Sequence, residues 1–72
     1  MDNYQELANA IILQAVKDYR EALSAVRNNP KSVSANRDIY DCESFFMGGW
    51  FSFLTELNGE TLIRKLKEEV SA

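Results

Sequence analysis

Few side chains in this chain could carry chemistry, and their spacing narrows what that chemistry could be. There is no histidine. That removes the commonest general base, the usual activator of a serine or cysteine nucleophile, and the commonest metal ligand. The single cysteine, Cys42, could in principle act as a nucleophile. Its neighbours at helical spacing, Ile39 and Phe46, put it on an apolar face, where a thiol is a packing group. Asp38 and Asp41 stand one helical turn apart beside Arg37, but no calcium-loop spacing surrounds them, and they read as a solvated helix edge. Gly48-Gly49 lacks the following lysine and the preceding strand of a phosphate-cradling loop. Arg64, Lys65 and Lys67 make the one basic cluster of the sequence, and Glu68 and Glu69 follow directly. No catalytic, cofactor-binding or metal-binding residue is assigned, and the expectation is a non-enzymatic protein.

The bulk composition agrees with a small folded domain. Seventy-two residues make one domain at most, with a stability of only a few kcal/mol. A hydrophobic content of 46% is normal for a globular chain and too high for a disordered one. The net charge of −3 argues against direct nucleic-acid binding, which needs a basic surface to displace counterions. One cysteine cannot form an internal disulfide, whereas a secreted chain of this size usually carries several. A basic start with an apolar signal core is missing, and so is an apolar run of about 18 residues. The expectation is a cytoplasmic protein that neither spans nor coats a membrane.

Five of the eight aromatic residues, Phe45, Phe46, Trp50, Phe51 and Phe53, fall within nine positions around the glycine pair. So much apolar surface must be buried in the core or against a partner. Stacking on nucleic-acid bases is disfavoured, because no lysine or arginine is interleaved with the rings.

The elements that must position these residues are helical. From Asp2 to Asn28, the residues Tyr4, Ala8, Ile11, Ile12, Ala15, Val16, Tyr19, Ala22, Leu23 and Val26 recur at helical spacing. Asp2 or Asn3 can cap this helix, with Gln5 or Glu6 completing a capping box. Leu7 and Leu13 miss the stripe. Pro30 breaks the chain, and Ser32 or Ser34 can cap a second helix over about 33–57. In that helix Ala35, Ile39, Cys42, Phe46, Trp50 and Phe53 line one face, and Val33, Tyr40, Met47, Phe51 and Leu54 form a second row. A helix apolar on two sides is a central helix. Gly48-Gly49, two interior glycines that cost about 2 kcal/mol, can kink this helix or interrupt it into two short ones; the apolar phase persists across the pair, so one helix with a bend is the expectation. Asn58-Gly59 ends the helix, with Gly59 suited to a left-handed cap or Asn58 to starting the next. A last helix over about 60–70 presents Leu62, Ile63, Leu66 and Val70. The expected fold is an all-α, three-helix domain with a long central helix.

The third helix follows a tight turn and can cover the Phe51–Leu54 end of the second row, but it is too short to reach Val33 and Tyr40 as well: eleven residues span about 16 Å against about 30 Å from Val33 to Phe53. Part of the row from Tyr40 to Met47 is therefore expected to stay exposed; the candidate partner-binding residues are Tyr40, Met47 and Phe51 on this second face, with Leu13, which misses the stripe of the first helix. The partner is a second copy in a two-fold dimer, or another protein.

The segments Ile12-Leu13-Gln14-Ala15-Val16-Lys17-Asp18-Tyr19-Arg20, Cys42-Glu43-Ser44-Phe45-Phe46, Trp50-Phe51, Leu54-Thr55 and Gly59-Glu60 through Leu66 resemble small uncharacterised helical proteins encoded by phages, prophages and mobile elements of Gram-positive bacteria. The chain departs from that phrasing at Met47-Gly48-Gly49, where such proteins have a more helix-friendly stretch. The resemblance implies a mobile-element accessory protein that binds and modulates a host protein. The alternative is a nucleic-acid-linked regulator, in which the second or third helix meets DNA.

Overall fold

The structure, a computed structural model, describes residues 3–71, and all of its regular elements are helices: α1 (Asn3–Asn28), α2 (Val33–Met47), α3 (Gly49–Leu54) and α4 (Gly59–Ser71). Asp2, one of the two expected caps of α1, lies outside the described residues. Asn3 is already helical. Gln5 does not reach back as a capping box requires; its Nε2 donates forward to Asn9 Oδ1 at 3.1 Å.

The break after α1 follows from Pro30. The Asn29 N–H still donates to the Ala25 carbonyl at 2.8 Å, and the chain then turns. Ser32 caps α2 in an extended conformation, its Oγ accepting the Ala35 N–H at 3.2 Å. Asn36 Nδ2 donates to the carbonyls of Pro30 and Ser32 and locks the turn. Of the two serines that could have capped this helix, Ser32 does so because its hydroxyl lies over the first free N–H groups.

The expected central helix over 33–57 is in fact two helices, which makes four in all. Gly48 is extended (φ −91°, ψ 173°) and serves at once as the end of α2 and the start of α3. The physical reason lies in the aromatics. Phe46 and Phe51 are both buried and meet edge to face, with ring centroids 5.5 Å apart. Five residues in one helix would turn them about 140° apart. Only a break lets both rings enter one core, and Phe45 joins them 5.8 Å from Phe51.

Asn58 starts α4: its Oδ1 accepts the Thr61 N–H at 2.8 Å. Gly59 is therefore not a left-handed cap, and no described glycine has a positive φ. Its role is close approach. A Cβ built on Gly59 would lie 2.0 Å from the Phe46 carbonyl oxygen, so α4 can begin directly against the end of α2 only because this position has no side chain.

The core joins Ile12 and Tyr19 of α1, Phe46 of α2, Phe51 of α3 and Leu66 of α4, with Val16, Leu23, Ile39, Phe45, Leu54, Leu62 and Ile63 packed around them. The α4 face expected from Leu62, Ile63 and Leu66 is thus the one that packs inward. Tyr19 is fully buried, and its hydroxyl donates to Glu43 Oε2 at 2.6 Å. The same carboxylate oxygen meets Lys67 Nζ at 3.4 Å, so one acid ties three helices together. On the outside, Arg20 pairs with Glu69 at 3.0 Å and Arg27 donates to the Val70 carbonyl, fastening α1 to the end of α4.

Burial, followed by the hydrogen bond to Glu43, raises the Tyr19 hydroxyl well above its ordinary value of 10.0. The folded state therefore holds this proton more tightly than the unfolded chain does. The resulting stability is fully present below about pH 10 and is lost as pH rises above it. Cys42, also raised, acts in the same direction from its ordinary value of 9.0 upward. Urea midpoints measured across this alkaline range should fall steeply in the unmodified protein. They should fall less in Tyr19→Phe, which itself costs about 1–2 kcal/mol at neutral pH. Parallel curves for the two proteins would show that Tyr19 contributes nothing to the alkaline loss.

Candidate functional site

The break at Gly48 changes which aromatics face outward. In an unbroken helix Trp50 and Phe53 would continue the Phe46 face, and that was the expectation. In the structure they are 73% and 70% exposed, while Phe51 is 1% exposed. Six residues of α3 turn the Phe51 side to the core and the other side to water.

The exposed rings do not stand alone. Trp50 and Phe53 meet edge to face at 6.3 Å, and Phe53 meets Tyr4 of α1 edge to face at 6.5 Å. Tyr4 and Ile11, expected in the buried α1 stripe, lie instead with Leu7 along its flank at intervals of three and four, and all three are exposed, because the helices packed on α1 cover only the side of Ala8, Ile12 and Tyr19. Beyond Ile11 the same flank leads into a shallow apolar groove floored by Ala15 and Phe45. The result is a continuous apolar surface at one end of the bundle, built from α1 and α3, with Trp50, Phe53 and Tyr4 at its centre.

Of the residues singled out from the sequence, Tyr40 and Met47 are exposed at 73% and 61%. They lie with Val33 on the outer side of α2, as the short reach of the last helix required. Leu13 is also exposed, on the side of α1 away from its buried stripe and far in rotation from Tyr4, Leu7 and Ile11. Phe51 must be withdrawn as a binding residue, because it is a core ring enclosed by Phe45 and Phe46. Trp50 and Phe53 were missed as surface residues. The signal for them is the glycine pair: of its two readings, a bend and an interruption, the structure adopts the interruption.

Cys42 is half-buried. Its thiol is pushed up by burial first and then by the carboxylates of Asp18, Asp38, Asp41 and Glu43, which is the opposite of what a thiolate nucleophile needs. Asp38 and Asp41 face Asp18 and Glu21 across an open groove between α1 and α2. Among the described residues, no three potential metal ligands come together in a metal-holding group. Two of the three basic residues of α4 are occupied by acids, Arg64 with Glu68 at 3.7 Å and Lys67 with Glu43 at 3.4 Å. No described helix is long and apolar enough to cross a membrane.

Large rings held by one another, exposed on a helical frame and surrounded by aliphatic side chains are the composition of a protein-contact hot spot. No protein-family model matches the chain, and neither a curated protein nor a solved structure matches it.

Proposed function

We propose that this chain is a non-enzymatic interaction module that binds another protein through its aromatic end. The observation that carries the reading is the exposed set Trp50, Phe53 and Tyr4, in which Phe53 meets each of the other two rings edge to face, extended by Leu7 and Ile11. A tryptophan ring left in water forgoes a burial worth about 2–3 kcal/mol, and a partner surface recovers it. Their edge-to-face contacts restrict the rings before docking, which lowers the side-chain entropy lost on binding. A cytoplasmic accessory protein of a phage or mobile element, acting by occupying a host protein, fits both this equipment and the resemblance of the sequence.

Direct action on nucleic acid is the weaker reading. It needs free cations on one face, and α4 instead pairs Arg64 and Lys67 with acids. Affinity capture from a Gram-positive host lysate, run in parallel with the wild type and with Trp50→Ser/Phe53→Ser, tests the proposal. The expected result is a protein retained by the first, absent from the second, and confirmed by direct titration of the purified pair. Equal recovery by both baits, or a recovered species that binds through nucleic acid and is lost on nuclease treatment, removes the aromatic end from the function.

A further inference from the structure

A second surface, on the opposite side of the break, has a symmetry of its own. Val33, Tyr40 and Met47 are exposed on α2 at equal spacings of seven residues. They lie within about 40° of one another around the helix and span about 21 Å. Beside them, on one flank of this row, are Arg37 and Asp41, both exposed. The ion pairs among the described residues use Arg20, Arg64 and Lys67, so neither Arg37 nor Asp41 is engaged in one.

From this placement we infer that α2 pairs with α2 of a second copy, antiparallel, with the two-fold axis passing through Tyr40. Turning the row about Tyr40 brings Val33 of each copy onto Met47 of the other. In antiparallel helix pairs the same flank of each helix meets, and here that juxtaposition sets Arg37 beside Asp41 of the second copy, twice, related by the axis. The contact is isologous: each residue meets a partner that meets it in return. Parallel pairing would set this flank against the opposite flank of the other copy, and Arg37 would then lose Asp41 as its partner. The two Arg37–Asp41 juxtapositions thus favour the antiparallel orientation, and the apolar row sets the register. One helix face buries less area than a stable permanent interface needs, so the dimer is reversible, with a dissociation constant in the micromolar to millimolar range. The surface is separate from the aromatic end, and the inference does not depend on what that end binds.

Sedimentation equilibrium from about 10 µM to 1 mM, the range in which such affinities are read, tests the register through charge exchange. Wild type should move from monomer towards dimer. Arg37→Glu and Asp41→Arg should each weaken association about tenfold or more, because each sets like charges together, while the far-UV circular dichroism stays helical. An equimolar mixture of the two variants should associate again, because every cross-copy pair is then of opposite sign. The double variant R37E/D41R should dimerise alone, for the same reason. Trp50→Ser should leave association unchanged. A wild type that stays monomeric throughout, single variants that dimerise as tightly as wild type, a mixture that stays monomeric, or loss of the dimer in Trp50→Ser would each overturn the inference.

Discussion

Gly59→Ala is expected to cost the fold about 3 kcal/mol or more, the upper range for forcing atoms into a packed site. In a domain whose total stability is of the same order, that leaves much of the population unfolded. The cause is steric. The added methyl would sit 2.0 Å from the Phe46 carbonyl oxygen and 2.8 Å from its carbonyl carbon. Both are backbone atoms of the residue whose ring fills the centre of the core, so neither can rotate away. Relief requires α4 to lift from the end of α2, which pulls Leu62 and Leu66 off the same core. Gly49→Ala is the matched control, since a methyl there meets nothing within 4 Å. At the first helical position of α3 it should be neutral or stabilise by up to about 1 kcal/mol. Gly48→Ala should fall between the two, its methyl 2.9 Å from the Ser44 carbonyl oxygen. Urea midpoints of the three variants give the order directly. A Gly59→Ala protein within about 1 kcal/mol of wild type would mean that α4 does not start against Phe46.

These three glycines also mark how far the sequence could be read. The α1 stripe apart from its members Tyr4 and Ile11, the stop at Pro30, a serine cap on α2 and the inward face of α4 follow from periodicity and capping chemistry, and the exposure of Tyr40 and Met47 follows from the length of the last helix. Those are local rules, and here the tertiary structure agrees with them. The phase of α3 does not follow. Residues 45–54 are so rich in large apolar groups that a continuous helix and a broken one both present a credible buried face: Phe46, Trp50 and Phe53 in the first, Phe46 and Phe51 in the second. Periodicity cannot choose between two apolar faces. The choice is made by the Gly48 conformation and by the space that Gly59 leaves for α4, and both depend on contacts between residues distant in sequence. The same ambiguity moved Phe51 from the surface to the core and moved Trp50 and Phe53 from the core to the surface, so most of the candidate site was hidden at that one point.

Alanine substitutions at Phe51, Trp50 and Phe53 should therefore separate sharply. Phe51→Ala removes a ring that is 1% exposed and in edge-to-face contact with both Phe45 and Phe46. The loss of transfer energy together with the cavity left behind should cost about 3–5 kcal/mol. Trp50→Ala should cost under about 1 kcal/mol, as surface changes do. Phe53→Ala gives up its edge-to-face contacts with Tyr4 and Trp50 and should cost at most about 1.5 kcal/mol. A single unbroken helix would reverse this order, because Trp50 and Phe53 would then share the buried side with Phe46. The one tryptophan supplies a second readout. Its emission in the native protein should already lie near that of a water-exposed indole and shift little when urea unfolds the chain. It should move to the blue only when a partner covers the aromatic end. A native emission that is strongly blue-shifted in the isolated monomer, or a Trp50→Ala variant as unstable as Phe51→Ala, would put the indole in the core. That result would take away the surface on which the interaction reading stands.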